Sequence, residues 1–273
     1  IWYNYEATKH NWVGVMIQKI KKILSKKNKT KIICLTAYSK NFATEVDKFA
    51  DITLVGDSLG SVLYNYETTR KVTLNNMIEH SKSARMGVKK SLMVVDMPYK
   101  TYQNKKDALK NSIKVIKETK CDAIKLEGGN KIKDIIKHLV KNKIPVMGHL
   151  GLLPQSVRGK FKSKGKIKTE KKQLLKDSKL LEELGVFAIV LECVETSTAK
   201  LITKSIKIPT IGIGSSVFCD GQVLVTDDLL GLNETNIRFV KKFANLKKNI
   251  NQGLKRFKKE IISKKYPSKK FSY

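Results

Sequence analysis

The chain has 273 residues, of which 41% are hydrophobic and 29% are charged, and its formal net charge is +31 at pH 7. A chain of this length can bury a substantial core, either as one α/β barrel or as two smaller domains. Because hydrophobic residues occur throughout the sequence, a wholly disordered chain is excluded despite the charge.

The positive charge comes almost entirely from lysine, since 50 of the 55 basic residues are Lys and five are Arg. Such a charge is typical of proteins that bind nucleic acid or anionic membranes. Nucleic-acid-binding surfaces, however, use arginine for bidentate contacts and aromatic rings for stacking, and aromatic residues make up only 7% of this chain. We therefore interpret the lysine excess as compositional drift. A lysine-rich nucleic-acid-binding protein is kept as the remote alternative.

Cysteine usage and hydropathy predict a cytoplasmic protein. Cys34, Cys121, Cys193 and Cys219 form no CxxC pair, so we expect reduced thiols. No apolar run reaches the ~18 residues that span a bilayer, so we expect no membrane partner.

The chain begins with fifteen residues that show no clear periodicity, and Met16 opens a lysine-rich helical stretch. We predict a non-native or disordered leader over residues 1–15, a single domain over residues 16–264 and a tail over residues 265–273. Within the domain, short apolar runs alternate with amphipathic stretches. The runs predict eight strands, at residues 31–38, 52–57, 92–97, 123–127, 145–150, 188–194, 210–214 and 222–226. The amphipathic stretches predict helices at residues 39–49, 73–86, 105–119, 131–141, 171–184 and 196–205.

Eight nearly continuous apolar strands are typical of a parallel sheet covered by helices, which favours a (β/α)8 TIM barrel over a doubly wound sheet. The spacing leaves no room for a full helix between the seventh and eighth strands. Residues 234–264 predict the closing helix and an extra C-terminal one. Of the two longest connections, residues 64–73 and 151–170, the second is predicted to be an active-site lid, although its later half fits a solvated loop equally well.

Polar side chains recur where the second to sixth strands end. They are Asp57 and Ser58, Asp96, Lys125 and Glu127, His149, and Glu192. Taken singly, an aspartate could cap a turn, and Lys125 and Glu127 could form a structural ion pair. In a barrel, however, these strand ends meet at the rim that carries catalytic groups. Because clustered buried carboxylates repel one another and lose hydration, the set predicts a divalent metal, and oxygen ligands favour Mg²⁺.

The same strand ends lie in sequence blocks that resemble the 3-methyl-2-oxobutanoate hydroxymethyltransferase (ketopantoate hydroxymethyltransferase) family. The blocks are residues 54–60 (LVGDSLG), 95–98 (VDMP), 125–129 (KLEGG), 145–152 (PVMGHLGL) with 154–156 (PQS), 188–193 (AIVLEC), 209–214 (PTIGIG) and 219–225 (CDGQVLV). They occur in the family's order and span roughly residues 30–267.

The resemblance implies a barrel of the phosphoenolpyruvate/pyruvate type and a homo-oligomer, often a decamer. It also implies roles for the polar strand ends: Asp57, Asp96 and Glu127 as magnesium ligands, Asp57, Ser58, Asp96 and Lys125 as contacts to the keto acid, Glu192 as the proton acceptor and His149 as a supporting residue. The implied co-substrate is 5,10-methylenetetrahydrofolate. The nearest alternative is another Mg-dependent lyase of the same barrel class that acts on a 2-oxo acid.

Overall fold

The structure, a computed structural model, describes residues 2–156, 162–234 and 237–273, with side chains from residue 13 onward. Contacts divide the chain into two compact units, the first ending at Val225 and the second beginning at Thr226. The first unit contains the barrel. The second consists of a short helix at Thr226–Leu229, an irregular segment and a helix at Leu246–Ile262.

Eight parallel strands close into a barrel in which each strand pairs with its sequence neighbours and β1 pairs with β8. They are β1 (Ile32–Thr36), β2 (Ile52–Val55), β3 (Leu92–Asp96), β4 (Ala123–Glu127), β5 (Val146–Gly151), β6 (Ala188–Glu192), β7 (Thr210–Ile213) and β8 (Gly221–Leu224). The predicted barrel and its eight strands are confirmed, with β4 bounded as predicted and the others shifted at one or both ends.

The helices of the described residues are α1 (Trp2–Ser25), α2 (Lys40–Val46), α3 (Leu59–Tyr64), α4 (Leu74–Gly87), α5 (Lys105–Thr119), α6 (Lys133–Lys141), α7 (Lys168–Glu183), α8 (Thr196–Ser205), α9 (Thr226–Leu229) and α10 (Leu246–Ile262). The α5 and α8 helices begin and end as predicted. No helix separates β7 from β8, which confirms that prediction. In the described part of residues 234–264, α10 is the one helix, so the extra C-terminal helix is present but the closing helix predicted there is not. Of the predicted lid, residues 157–161 lie outside the described residues.

The α2, α4, α6 and α7 helices differ from the sequence prediction by one to three residues at one or both ends. The short α3 was not predicted. The α7 helix begins at Lys168, three residues earlier than predicted. The prediction missed the first turn because that turn lies in a lysine-rich stretch that resembles a solvated loop. The α1 helix runs from Trp2 to Ser25, and the leader over residues 1–15 stays a prediction.

Side chains of each strand alternate between two hydrophobic clusters, as the two-residue period of a β-strand requires. One cluster fills the barrel with alternate residues such as Leu92 and Val94 of β3 and Ala188 and Val190 of β6. The other joins the outer faces of the strands to the helices and includes Met93, Ile189 and Leu191. The inward positions at the end of a strand therefore open onto the upper rim of the barrel.

The α1 helix covers the opposite, N-terminal mouth of the barrel. Ile23 packs into the cluster inside the barrel and is 2% exposed. Lys19 Nζ donates to the carbonyl of Ser91 just before β3, and Lys27 Nζ lies 2.8 Å from Asp220 just before β8. Because α1 covers the N-terminal mouth, the inward-facing polar groups are accessible from the C-terminal rim of the barrel.

Candidate active site

Strand alternation and register bring the predicted polar residues together. On β4, Ala123 faces the barrel interior, so Lys125 and Glu127 face inward two and four residues later. The register pairs Asp96 with Lys125 and Glu127 with His149 across neighbouring strands. All four side chains are buried, at 2–6% exposure.

The first contact is an ion pair between neighbouring strands. Lys125 Nζ lies 2.9 Å from Asp96 Oδ1, although the contact lacks hydrogen-bond alignment. The other oxygen of Asp96 accepts a hydrogen bond from the backbone N–H of Asp57, at 3.0 Å. This bond ties the turn after β2 to the end of β3 and places Asp57 beside Asp96. The ion pair and the hydrogen bond together place the carboxylates of Asp57 and Asp96 and the ammonium group of Lys125 at the rim.

The second contact joins Lys125 to Glu192 through His149. Lys125 Nζ lies 3.4 Å from His149 Nδ1, and His149 Nε2 lies 3.2 Å from Glu192 Oε2, although this second contact lacks hydrogen-bond alignment. A lysine ammonium can only donate, so Nδ1 is the acceptor and the imidazole proton is on Nε2, facing Glu192. Burial and the Lys125 charge lower the pKa of His149, so the ring is neutral at physiological pH. Glu192 is 16% exposed and is the most accessible carboxylate of the set.

The third contact comes from the connection after β5, through a residue to which the sequence prediction assigned no role. Gln155 donates from its backbone N–H to Glu127 Oε2 at 3.0 Å and from Nε2 to Asp57 Oδ2 at 2.8 Å. Tyr102, from the loop after β3, donates to Gln155 Oε1 at 2.7 Å. The strand pattern could not reveal Gln155 or Tyr102, because both lie in loops. The only signal was Gln155's position in the PQS block.

The predicted substrate contact Ser58 lies at the start of α3, next to Asp57. Its hydroxyl is 2.8 Å from that of Tyr38, a residue that follows β1 and is 4% exposed. Tyr38 was not predicted as part of the site. Thus the structure brings together every residue that the sequence analysis selected, and Tyr38, Tyr102 and Gln155 surround them.

Burial, and after it the charge of neighbouring carboxylates, raises the pKa values of two carboxyl groups in the cluster. Burial and the charge of Asp96 raise the pKa of Asp57 to about 7. Burial and the charge of Asp57 raise the pKa of Glu127 well above its usual range. Burial lowers the pKa of Lys125, but Asp96, Asp57 and Glu127 outweigh it and leave that pKa raised. One lysine therefore does not neutralise the cluster.

These properties fit a divalent cation. Asp96 Oδ1 is a buried oxygen that has Lys125 Nζ 2.9 Å away but accepts no aligned hydrogen bond, and the neighbouring carboxylate oxygens are ligands that Mg²⁺ prefers. Among the described residues, no three His, Cys, Asp or Glu side chains are arranged to enclose a metal by themselves. Mg²⁺ commonly binds through one or two carboxylates and completes its shell with water and substrate oxygens. The arrangement therefore suits a cation that is shared with the substrate.

Comparison with known proteins assigns the family. A family model described as ketopantoate hydroxymethyltransferase matches residues 15–269. The chain is 66% identical over 258 residues to the 3-methyl-2-oxobutanoate hydroxymethyltransferase of Pelagibacter ubique (strain HTCC1062), a match that covers 94% of this chain and 100% of the relative. This chain belongs to the ketopantoate hydroxymethyltransferase family. The resemblance found in the sequence blocks is thereby confirmed.

Solved structures place the ketopantoate hydroxymethyltransferase barrel in a wider fold group. A 2,3-dimethylmalate lyase of the PEP mutase/isocitrate lyase superfamily aligns with a TM-score of 0.60, covering 94% of this chain and 88% of its own. A phosphonopyruvate hydrolase in complex with oxalate and Mg²⁺ aligns with a TM-score of 0.57, covering 93% of each chain. Sequence identities of 10% and 12% limit both comparisons to the fold. Within the described part of the chain, no helix is both long and apolar enough to span a bilayer.

Proposed function

We propose that this protein transfers a hydroxymethyl group from 5,10-methylenetetrahydrofolate to 3-methyl-2-oxobutanoate, giving 2-dehydropantoate (ketopantoate) for pantothenate biosynthesis. The observation that carries the proposal is the buried cluster at the catalytic rim of a chain that belongs to this family. There, Lys125 lies 2.9 Å from Asp96 and is accompanied by Asp57, Glu127 and Glu192.

In this proposal Asp57, Asp96 and Glu127 would supply oxygen ligands to a Mg²⁺ that is shared with water and substrate oxygens, while Ser58 and Lys125, together with Asp57 and Asp96, contact the keto acid. When bound, the cation withdraws charge from the 2-oxo and carboxylate oxygens of the substrate, which makes the C3 proton more acidic. The protonated Lys125 adds a second positive charge beside the oxygen on which negative charge develops. Because the barrel interior excludes most water, this charge is screened less than it would be at the surface.

Glu192 is the proposed base that removes the C3 proton. It combines partial exposure, which gives access to substrate, with the contact from His149 at 3.2 Å. A neutral imidazole beside Glu192 leaves the negative charge of the carboxylate uncancelled, so Glu192 keeps its ability to accept a proton. Water hydrolyses the two C–N bonds that hold the methylene group, which releases tetrahydrofolate and a one-carbon unit at the oxidation level of formaldehyde. The carbon nucleophile adds to this carbon, and the resulting alkoxide takes the proton back from Glu192 to give ketopantoate.

A product assay tests the proposal. The protein, incubated with 3-methyl-2-oxobutanoate, 5,10-methylenetetrahydrofolate and Mg²⁺, is expected to form ketopantoate, and a chelator is expected to stop the reaction. A folded protein that forms no ketopantoate but cleaves a 2-oxo or 2-hydroxy acid with Mg²⁺ would show that the lyase alternative is correct.

Two further expectations have separate measurements. RNA binding that disappears with modest added salt excludes the nucleic-acid-binding alternative, because specific binding persists at physiological salt. A homo-oligomer, decameric by family resemblance, and a cytoplasmic location remain predictions, and light scattering of the purified protein measures the first.

A further inference from the structure

Gln155 connects three strand ends of the barrel from a loop that belongs to none of them. It lies in the β5–α7 connection and is 3% exposed. Its Nε2 donates to Asp57 Oδ2 at 2.8 Å and to the carbonyl of Met97 at 3.0 Å, after β2 and β3. Its backbone N–H donates to Glu127 Oε2 at 3.0 Å, at the end of β4. One residue thereby bonds to both carboxylates that flank Asp96.

The partners of the Gln155 amide allow one orientation of the side chain. Both groups that face Nε2, the Asp57 carboxylate and the Met97 carbonyl, can only accept hydrogen bonds when the carboxylate is ionised. Oε1 faces the Tyr102 hydroxyl, which donates to it at 2.7 Å. An amide rotated by half a turn would set its oxygen against two acceptors. The side chain is therefore fixed by its surroundings.

The same contacts determine which carboxylate oxygens stay available. Among the described residues, no other hydrogen bond reaches the carboxylate oxygens of Asp57 or Glu127. Gln155 therefore occupies one oxygen of each group, Oδ2 and Oε2, and leaves the second oxygen of each without a hydrogen-bond donor. Without the hydrogen bonds from Gln155, the two buried carboxylates would rotate to relieve their repulsion from Asp96.

We propose that Gln155 is a positioning residue that holds Asp57 and Glu127 with one oxygen each turned toward the ligand. The inference rests on the proposed function, because it takes these carboxylates as the groups that hold a divalent cation. Tyr102 supports the arrangement by fixing the amide.

The test compares three variants with the wild type. Gln155→Met keeps the length of the side chain and the backbone bond to Glu127 but removes both Nε2 donors. Tyr102→Phe removes the hydroxyl that donates to the amide and also accepts a hydrogen bond from the backbone N–H of Glu127 at 3.4 Å. Gln173→Ala is the matched control, because Gln173 Nε2 donates to Asp177 at 3.0 Å on the exposed surface of α7. Mn²⁺ affinity is measured by electron paramagnetic resonance, with melting temperature and kcat for ketopantoate formation measured in parallel.

We expect Gln155→Met to bind Mn²⁺ on the order of tenfold more weakly and to lose kcat by a similar factor, since a hydrogen bond to a charged group has about this effect. Tyr102→Phe is expected to show a smaller loss in both measurements, and Gln173→Ala to match the wild type. A purely structural role would lower the melting temperature and leave Mn²⁺ affinity unchanged, and that result for Gln155→Met would overturn the inference.

If Gln155→Met does not fold, the measurements on Tyr102→Phe decide the test. Wild-type Mn²⁺ affinity and kcat in folded Tyr102→Phe would then overturn the inference, and a drop in both would support it. The wild type separates the two proposals. If it binds Mn²⁺ but forms no ketopantoate, the proposed reaction is wrong, while the variants still report on the placement of the carboxylates.

Discussion

Removing one carboxylate from the site is expected to make the cation-free protein more stable. The perturbation is Asp57→Asn, which keeps an oxygen for the Gln155 amide but eliminates the charge. Burial and the charge of Asp96 raise the pKa of Asp57 from 3.8 to about 7. Since each pH unit of displacement corresponds to about 1.4 kcal/mol, keeping this carboxylate ionised above pH 7 costs the folded protein roughly 4 kcal/mol.

The sign and the pH window follow from the raised pKa. Below about pH 4 the carboxyl is protonated in both the folded and the unfolded chain, so its ionisation has no cost. As the pH rises from about 4 to 7, the unfolded chain ionises first and the wild type loses stability. The advantage of Asp57→Asn is therefore small at pH 4.5, roughly 1 kcal/mol, and reaches its full size near pH 8.

Calorimetry in the presence of a chelator measures this difference. The full effect corresponds to a melting temperature that is higher by on the order of 8 °C at pH 8. Asp134→Asn, on the exposed surface of α6, is the control and is expected to stay within about 0.5 kcal/mol of the wild type. Adding Mg²⁺ should stabilise the wild type and not Asp57→Asn. An Asp57→Asn protein that melts no higher than the wild type at pH 8 would refute the electrostatic reasoning.

Three further substitutions test the site. Glu192→Gln should leave Mn²⁺ affinity intact. It should slow the exchange of the C3 proton of 3-methyl-2-oxobutanoate with deuterated water, measured by NMR, by on the order of a hundredfold or more. Exchange as fast as in a Glu183→Gln control would show that Glu192 is not the base. Asp96→Ala should weaken Mn²⁺ binding at least tenfold in calorimetric titration, and wild-type affinity would contradict its assignment as a ligand. Gly151→Ala should destabilise the protein by about 2 kcal/mol or more, because Gly151 has a φ of 97° and a Cβ there would overlap the Glu192 carbonyl; an unchanged melting temperature would show that the turn can relax.

The barrel could be predicted from the sequence because eight short apolar runs alternate along the chain with longer amphipathic stretches. Residues 188–192, for example, are four apolar residues followed by Glu192, and they form β6 with an inward-facing carboxylate at its end. The short α3 was missed because six residues over less than two turns give little periodicity. Its position depends instead on the turn after β2, where the N–H of Asp57 bonds to Asp96.

The candidate site was predictable where a strand sets the direction of the side chain. Lys125, Glu127 and His149 occupy inward positions of β4 and β5, and their meeting follows from the register of these strands. Gln155 and Tyr102 reach the same site from loops, and nothing in their local sequence gives the distance between the loops. The distance between these loops is set only by the closed barrel.

The burial of Lys125 has a consequence for a chain so rich in lysine. Among the residues whose side chains the structure describes, it is the only lysine that is buried. Charges in solvent are attenuated over about 8 Å at physiological ionic strength, whereas those inside the barrel interact at close range with little attenuation. The exterior can therefore accumulate ammonium groups over evolutionary time without altering the field at the reacting carbon, while replacement of one interior amine would alter it at once.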